Sequence, residues 1–277
     1  MIKITKAAET ALHTRAFVSE EERAILRAIS RDPSVSAYSN ARVLDFELRM
    51  REQTLAASRA LNAAGTGFAT FETSRCNPEY WIRQANGAFQ LRPDRLPSAA
   101  IRDIFSNGPL YAFECATAII ILFYKATLET IGEAAYNQLF ANTYLYHWNV
   151  DRDLGLTTRP AARFIPGDAL YFDNPDVNPE FPEWQGENVI YMGDGIYYGH
   201  GLGMKTAEKM IEALNKRRIP GSTRSAFLLQ QVTRPNYAML SQSHASLQGG
   251  GGWRGGVALP GGIPIRARIG GHLFLDF

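Results

Sequence analysis

Residues 107–132 read NGPLYAFECATAIIILFYKATLETIG, and the fold turns on that stretch. From Ala116 to Leu122 the run is apolar on every face and holds no turn residue, so a helix there must lie inside the protein. Asn107-Gly108-Pro109 predicts its start, because proline is tolerated at the first helical position, and Gly132 predicts its end. Cys115 therefore falls near the N-terminus of a buried helix, where the positive end of the macrodipole favours thiolate over thiol. A packed free cysteine is the other reading of the same residue, since unpaired cysteine is among the most buried residue types.

Composition bounds the rest. A chain of 277 residues accommodates one large domain or two small ones. The net charge of +2 lacks the clustered excess of a dominant phosphate-binding surface, so nucleic acid is not expected as a partner. The N-terminal MIKITKAAETALHTRAF has no continuous apolar core, and no run approaches the roughly 18–20 apolar residues of a membrane span, which predicts a cytoplasmic origin. Cys76 and Cys115 make neither a disulfide scaffold nor a zinc-site spacing, and no acidic loop has the alternating oxygen ligands of a calcium site, so no metal or other cofactor is expected.

Along the chain, residues 1–40 are polar and mixed, with a helix predicted over 20–30 that stops before Asp32-Pro33. Arg42 to Ala64 has the spacing of an amphipathic helix closed by Gly65. Phe68 to Phe71 reads as a strand, and YWIRQANGAFQLR (80–92) as a hairpin turning at Asn86-Gly87. Ala169 to Phe172 reads as a strand, followed by a proline-rich loop over 174–182. After a helix over 206–215, Ser225 to Val232 reads as another strand. From Ser241 onward paired glycines predict a poorly ordered tail. The expected division is an N-terminal helical extension (1–40), a catalytic domain (41–240) and a glycine-rich tail (241–277).

WQGENVIYMGDGIYYGHGLG (184–203) is the second informative stretch. Two strand-like arms flank Gly193-Asp194-Gly195. A two-residue turn at Gly193-Asp194, with glycine supplying the positive φ of type II′, sets Glu187 opposite His200, with Cβ atoms roughly 4.5–5.5 Å apart. A one-residue change in the loop moves the two side chains to opposite faces. Cysteine early on a buried helix and histidine later on a strand is the chain order of papain-like enzymes, and the triad logic asks for a third group, for which Glu187 is the candidate. Of five histidines, His13, His244 and His272 lie in peripheral regions and His147 in an aromatic cluster. His200, between two glycines, is the candidate base; a structural role is the other reading of the residue taken alone, and its joint presence with Cys115 and Glu187 favours catalysis.

IRDIFSNGPLYAFECATAI and WQGENVIYMGDGIYYGHGLG, with GTGFATF, Tyr80-Trp81, GDALYF and SAFLLQQVTR, resemble the bacterial spore-coat protein-glutamine γ-glutamyltransferases, the small calcium-independent transglutaminases of endospore-forming bacilli. The resemblance covers about residues 40 to 235 and is weak at both ends. It implies an α+β fold with a papain-like (NlpC/P60-type) core, a nucleophile-bearing helix packed on an antiparallel sheet. It further implies Cys115 as nucleophile, Glu187 and His200 as its partners, and Glu114 as an alternative carboxylate. Phe68, Trp148, Tyr171 and Trp184 match aromatic positions around the family's substrate tunnel.

The implied reaction is acyl transfer through a cysteine thioester, ending in ε-(γ-glutamyl)lysine cross-links between proteins that supply glutamine and lysine side chains, with coat proteins as the expected partners. The chain is expected to be a monomer, made in the mother-cell cytoplasm and deposited on the spore coat. Two rival readings are a papain-like hydrolase of cell-wall peptides and a non-enzymatic coat protein in which Cys115 is core.

Overall fold

The structure, a computed structural model, describes residues 19–32, 38, 40–148, 154–249, 266–269 and 272–275, and among these two helices precede any strand. The expected extension 1–40 therefore lies largely outside the described residues. Helix α1 (Glu20–Arg31) starts where the Ser19 hydroxyl accepts the Glu22 N–H. Helix α2 (Ala41–Ala63) starts where the Asn40 side chain accepts the Val43 N–H, and it ends near Gly65, which takes φ 76°. A two-pronged Arg59–Glu21 ion pair ties the helices together at 2.8 and 2.9 Å.

Strand β1 (Gly67–Phe68) follows, then the hairpin of β2 (Trp81–Arg83) and β3 (Phe89–Leu91) at the place its Asn-Gly turn indicates. Helix α3 (Pro97–Ser106) leads into a single 3-10 turn, Gly108–Leu110, and strand β4 (Ala112–Phe113). The cysteine helix α4 (Cys115–Ile131) starts only after these, six residues later than Pro109 suggests. The delay has a physical cause: Ala112 and Phe113 are extended to pair in parallel with Gly67 and Phe68, and helix from Pro109 would forfeit that pairing. Gly132 (φ 83°) ends α4, and α5 (Glu133–Leu139) and β5 (Tyr144–Leu145) follow, β5 pairing with β3.

Seven strands between residues 157 and 234 form one antiparallel sheet. Its strands are β6 (Thr157–Pro160), β7 (Ala169–Asp173), β8 (Gly186–Gly193), β9 (Ile196–Gly199), β10 (Gly203–Thr206), β11 (Phe227–Leu228) and β12 (Gln231–Arg234), with helix α6 (Ala207–Asn215) after β10. The order is β10-β9-β8-β7-β12-β6, with β11 also pairing with β7. Helix α7 (Tyr237–Gly249) runs across the boundary expected at 240/241, and strands β13 (Arg266–Ile269) and β14 (His272–Leu275) pair with each other; 250–265 of the tail lie outside the described residues.

Alternation along the strands gives the sheet two apolar faces. Ala169, Ile190 and Tyr198 join the main core with α4 and α2, where Leu48, Leu55, Ile119, Ile120 and Leu122 are each at most 1% exposed. Leu170, Val189 and Tyr197 face a second cluster with Met210 and Leu214 of α6. Every residue of α4 is buried except Lys125, Glu129 and Thr130, which bears out the inside placement read from its all-round apolarity.

A buried ion cluster locks the sheet to α2. Asp168, just before β7, accepts from Arg51 of α2 at 2.8 Å and from Arg234 of β12 twice at 2.6 Å, as well as from the Ile165 N–H at 2.8 Å. Arg51 also donates to Glu47 at 2.8 Å and to the Pro166 carbonyl at 3.1 Å. The cationic neighbours hold the Asp168 carboxyl below its usual range despite burial.

Candidate active site

Glu114 is the N-cap of α4. Its carboxylate accepts the Ala116 and Thr117 N–H groups, each at 2.6 Å, and the Thr117 hydroxyl at 2.8 Å. Thr117 Oγ1 in turn accepts the His147 N–H at 3.1 Å, which docks the aromatic loop onto the helix start. Two of the first-turn donors that would have presented positive potential to the thiol, those of Ala116 and Thr117, are thus spent on a carboxylate.

The expected thiolate bias at Cys115 is reversed accordingly. Burial pushes the thiol's pKa up, and the charges of Glu187 and then Glu114 push it the same way, against hydrogen bonds from Asn188. Asn188 Nδ2 donates to Sγ at 3.2 Å. Glu187 is itself fully buried and raised well above the usual carboxyl range, by desolvation first and by Glu114 second. Its Oε1 has no hydrogen-bond partner in the structure. Both groups are shifted towards their protonated forms, so a proton must move when sulfur attacks.

The hairpin register differs from the expected one. Val189 pairs with Gly199, Ile190 with Tyr198 and Tyr191 with Tyr197, one position away from the set that puts Glu187 across from His200. The turn residues are Asp194-Gly195, with φ 50° and 74°, the two positive angles of a type I′ turn, and an irregularity between Tyr191 and Gly193 shifts the pairing again. Glu187 instead lies against Gly199, where a Cβ would sit 2.7 Å from Oε1. His200 is 3% exposed, stacked on Phe113 with ring centroids 4.6 Å apart, and its Nε2 is 3.0 Å from the Gly67 carbonyl. Desolvation pushes its pKa down to about 4, with the carbonyls of Gly67 and Phe113 opposing. Among the described residues, Asn188 and not His200 is hydrogen-bonded to the sulfur.

Cys115 opens on a cleft of about 650 Å³. Its lining includes the aromatic residues Phe68, Phe71, Trp148 and Tyr171 and the polar residues Glu183, Gln185, Thr158, Gln231 and Thr233. Phe68 is 38% exposed and is held by a close approach to Gly201, whose φ of 89° and 3.1 Å Cβ clearance exclude a side chain. Tyr171 has its pKa pushed up to about 12, by burial first and by Cys115 second. Trp184 does not border the cleft. It is half-buried in the 3-10 turn Pro182–Trp184 with the Arg217 guanidinium 5.0 Å from its ring centre, and the turn reaches the cleft through Pro182 and Glu183. Of the eight residues singled out in sequence, the structure gathers Phe68, Glu114, Cys115, Trp148 and Tyr171 on the cleft wall, with Glu187 and His200 buried behind it.

Sequence reasoning passed over Asn188 and Phe71. The signal for Asn188 was weak but present: a lone amide inside an otherwise apolar strand flanking the candidate acid. Among the described residues no group of three or more His, Cys, Asp or Glu could hold a metal ion, and no helix is long and apolar enough to cross a membrane.

Comparison with known proteins shows the family. The profile of the protein-glutamine gamma-glutamyltransferase family matches residues 1–244. The chain is 47% identical over 226 residues to a protein-glutamine gamma-glutamyltransferase of Bacillus mycoides, covering 82% of each chain. It is 46% identical over 230 residues to one of Bacillus cereus, covering 83% of each. A solved transglutaminase from Geobacillus stearothermophilus, without its C-terminal extension, superposes with a TM-score of 0.71 at 55% identity, over 73% of this chain and 97% of that one.

Proposed function

The chain belongs to the protein-glutamine γ-glutamyltransferase family, and we propose on that premise that Cys115 is its nucleophile and that transfer runs through a Cys115 thioester. The protein is an acyltransferase. In the first half-reaction Sγ bonds to the γ-carboxamide carbon of a protein-bound glutamine, and the carbon–nitrogen bond breaks to release ammonia. In the second, a lysine ε-amine takes the acyl group and frees the thiol.

The roles divide by environment. Glu187, buried, with its pKa raised and one oxygen free of hydrogen bonds, is the group suited to pass a proton to the departing nitrogen and take one from the attacking amine. Glu114, with its carboxylate already committed to the helix cap, acts chiefly on the electrostatics of the thiol. His200 supports β4 and the wall behind the sulfur through its stack on Phe113 and its contact with Gly67. Phe68, Trp148 and Tyr171 screen the thioester from water, which favours amine over hydrolysis. Trp184 acts on substrate from the rim, through the turn that carries Glu183.

The finer fold reading is a papain-like, NlpC/P60-type core, supported by a cysteine at the head of the central helix followed in chain order by an antiparallel sheet. The division into extension (1–40), catalytic domain (41–240) and tail (241–277) goes with it. The partners are proteins bearing glutamine and lysine, coat proteins among them, with synthesis in the mother cell, deposition on the spore coat and action as a monomer. The Bacillus origin of the named relatives favours that setting.

The observation that carries the mechanism is the buried thiol facing an aromatic-walled cleft with an unpartnered buried carboxyl behind it. Mass spectrometry of a glutamine-bearing protein incubated with the enzyme and a labelled primary amine tests it. Amine incorporation with loss of ammonia is the expected result. Exchange of ammonia for water at the glutamine, or water added across a cleaved peptide bond, with no amine incorporated would point to a hydrolase, and no change to a non-enzymatic coat protein.

A further inference from the structure

Everything around Cys115 except one residue works against a negative charge on sulfur. Two carboxylates lie close by, burial removes water, and the helix N-terminus is occupied by Glu114. The exception is Asn188, which is 8% exposed, borders the cleft, and donates from Nδ2 to Sγ at 3.2 Å. Its backbone N–H acts on the sulfur in the same sense. Asn188 is rigidly placed: it sits inside β8, the strand between β7 and β9, paired with Tyr171.

We propose that Asn188 is a catalytic residue, whose side-chain amide holds the negative charge of the attacking sulfur and then of the carboxamide oxygen. The inference rests on the reading of Cys115 as nucleophile. As the Sγ–C bond forms, the carbonyl electron pair moves onto the glutamine oxygen; the thiol proton ends on the amide nitrogen, and the C–N bond breaks to give ammonia and the thioester. Asn188 donates hydrogen bonds throughout and is unchanged. An amide N–H₂ carries two donor hydrogens from one nitrogen, so one can stay near sulfur while the other meets the oxygen that gains charge. The first N–H of α4, that of Cys115 itself, has no intrahelical acceptor and is the second donor at hand. Donors fixed in a water-poor site cost no reorganisation during the reaction.

The test uses Asn188→Ala and Asn188→Asp in the full chain with Cys76→Ser, so that Cys115 is the single thiol. Steady-state amine incorporation and the pH dependence of iodoacetamide alkylation are read together, with the Cys76→Ser parent and Cys115→Ala as references. Asn188→Ala is expected to lower kcat about 10²-fold, with KM moved less than roughly threefold, and to shift the alkylation profile to higher pH. Asn188→Asp keeps the shape, loses the donors and adds a third carboxylate, so its profile should move further; it carries the same readouts if the alanine variant does not fold. Turnover within about threefold of the parent, or a loss of kcat with an unmoved alkylation profile, overturns the proposal. Should the parent itself be inactive, or Cys115→Ala active, the fault lies with the nucleophile assignment and not with Asn188.

Discussion

Glu187 and Cys115 occupy one buried electrostatic neighbourhood in which neither ionises freely: the glutamate's charge raises the thiol, and the glutamate is itself raised by burial and by Glu114. Forming a thiolate therefore requires a proton acceptor at the moment of attack, rather than a thiol poised beforehand.

The two glutamates should separate on mutation. Glu187→Gln removes the group suited to proton transfer and is expected to lower kcat by about 10²-fold or more, with little change in KM. Glu114→Gln keeps the shape of a cap that accepts two backbone N–H groups; it should cost about 1 kcal/mol of stability and retain more activity than Glu187→Gln. Kinetics and thermal melts of both variants check this, and a double variant that loses more than the product of the singles would reveal that each partly covers for the other.

Alkylation of the free enzyme should be slow at neutral pH. In a Cys76→Ser background the rate with iodoacetamide is expected to rise only above the ordinary thiol range, because the Cys115 pKa is shifted up. Cys76 must be removed first, since its own thiol, pushed up to about 11 by burial, adds to the signal at high pH. A fast reaction at pH 6 would mean that the helix dipole outweighs the carboxylates.

His200 should shape the acid limb of stability. Its folded-state pKa is depressed from 6.5 to about 4, so the unfolded chain binds more protons between these values. The stabilisation is full above pH 6.5 and is lost as pH falls towards 4, with a slope of at most about 1.4 kcal/mol per pH unit. Glu187 works with the opposite sign, losing its contribution as pH rises through its raised folded value. Denaturant melts of His200→Phe, which keeps an aromatic ring on Phe113, should show a flatter dependence between pH 6.5 and 4 than the parent.

Asp168→Ala should be the most damaging change away from the cleft. It leaves Arg51, wholly buried, and Arg234 without their shared acceptor. Removing one partner of a buried ion cluster costs about 3–5 kcal/mol, which a urea melt resolves.

How much of this was legible in sequence depends on the range of the forces involved. The cysteine helix could be read because Ala116 to Leu122 is apolar on every face, and the Asn86-Gly87 hairpin because its turn is specified locally. The start of α4 was misplaced because strand β4 is held by β1, a pairing across more than forty residues that no local signal near Pro109 reports. The Glu187–His200 pairing failed on a single residue: Asp194-Gly195 rather than Gly193-Asp194 forms the turn, and the irregularity beside Met192 moves every later pair. The helix dipole alone favours thiolate at Cys115, whereas burial, then the charge of Glu187 and then that of the cap residue Glu114 push the thiol the other way, and neither the burial nor the approach of Glu187 is a local signal. Arg51 on α2 carried no sign that it meets Asp168 and Arg234 in the core.

The nucleophile assignment is tested most directly by intact-mass spectrometry of the enzyme mixed rapidly with a glutamine donor peptide and no amine. A species heavier by the peptide minus ammonia, mapped to Cys115 and discharged by added lysine, is the expected result. An adduct on another residue, or cross-linking that persists in Cys115→Ala, would contradict it.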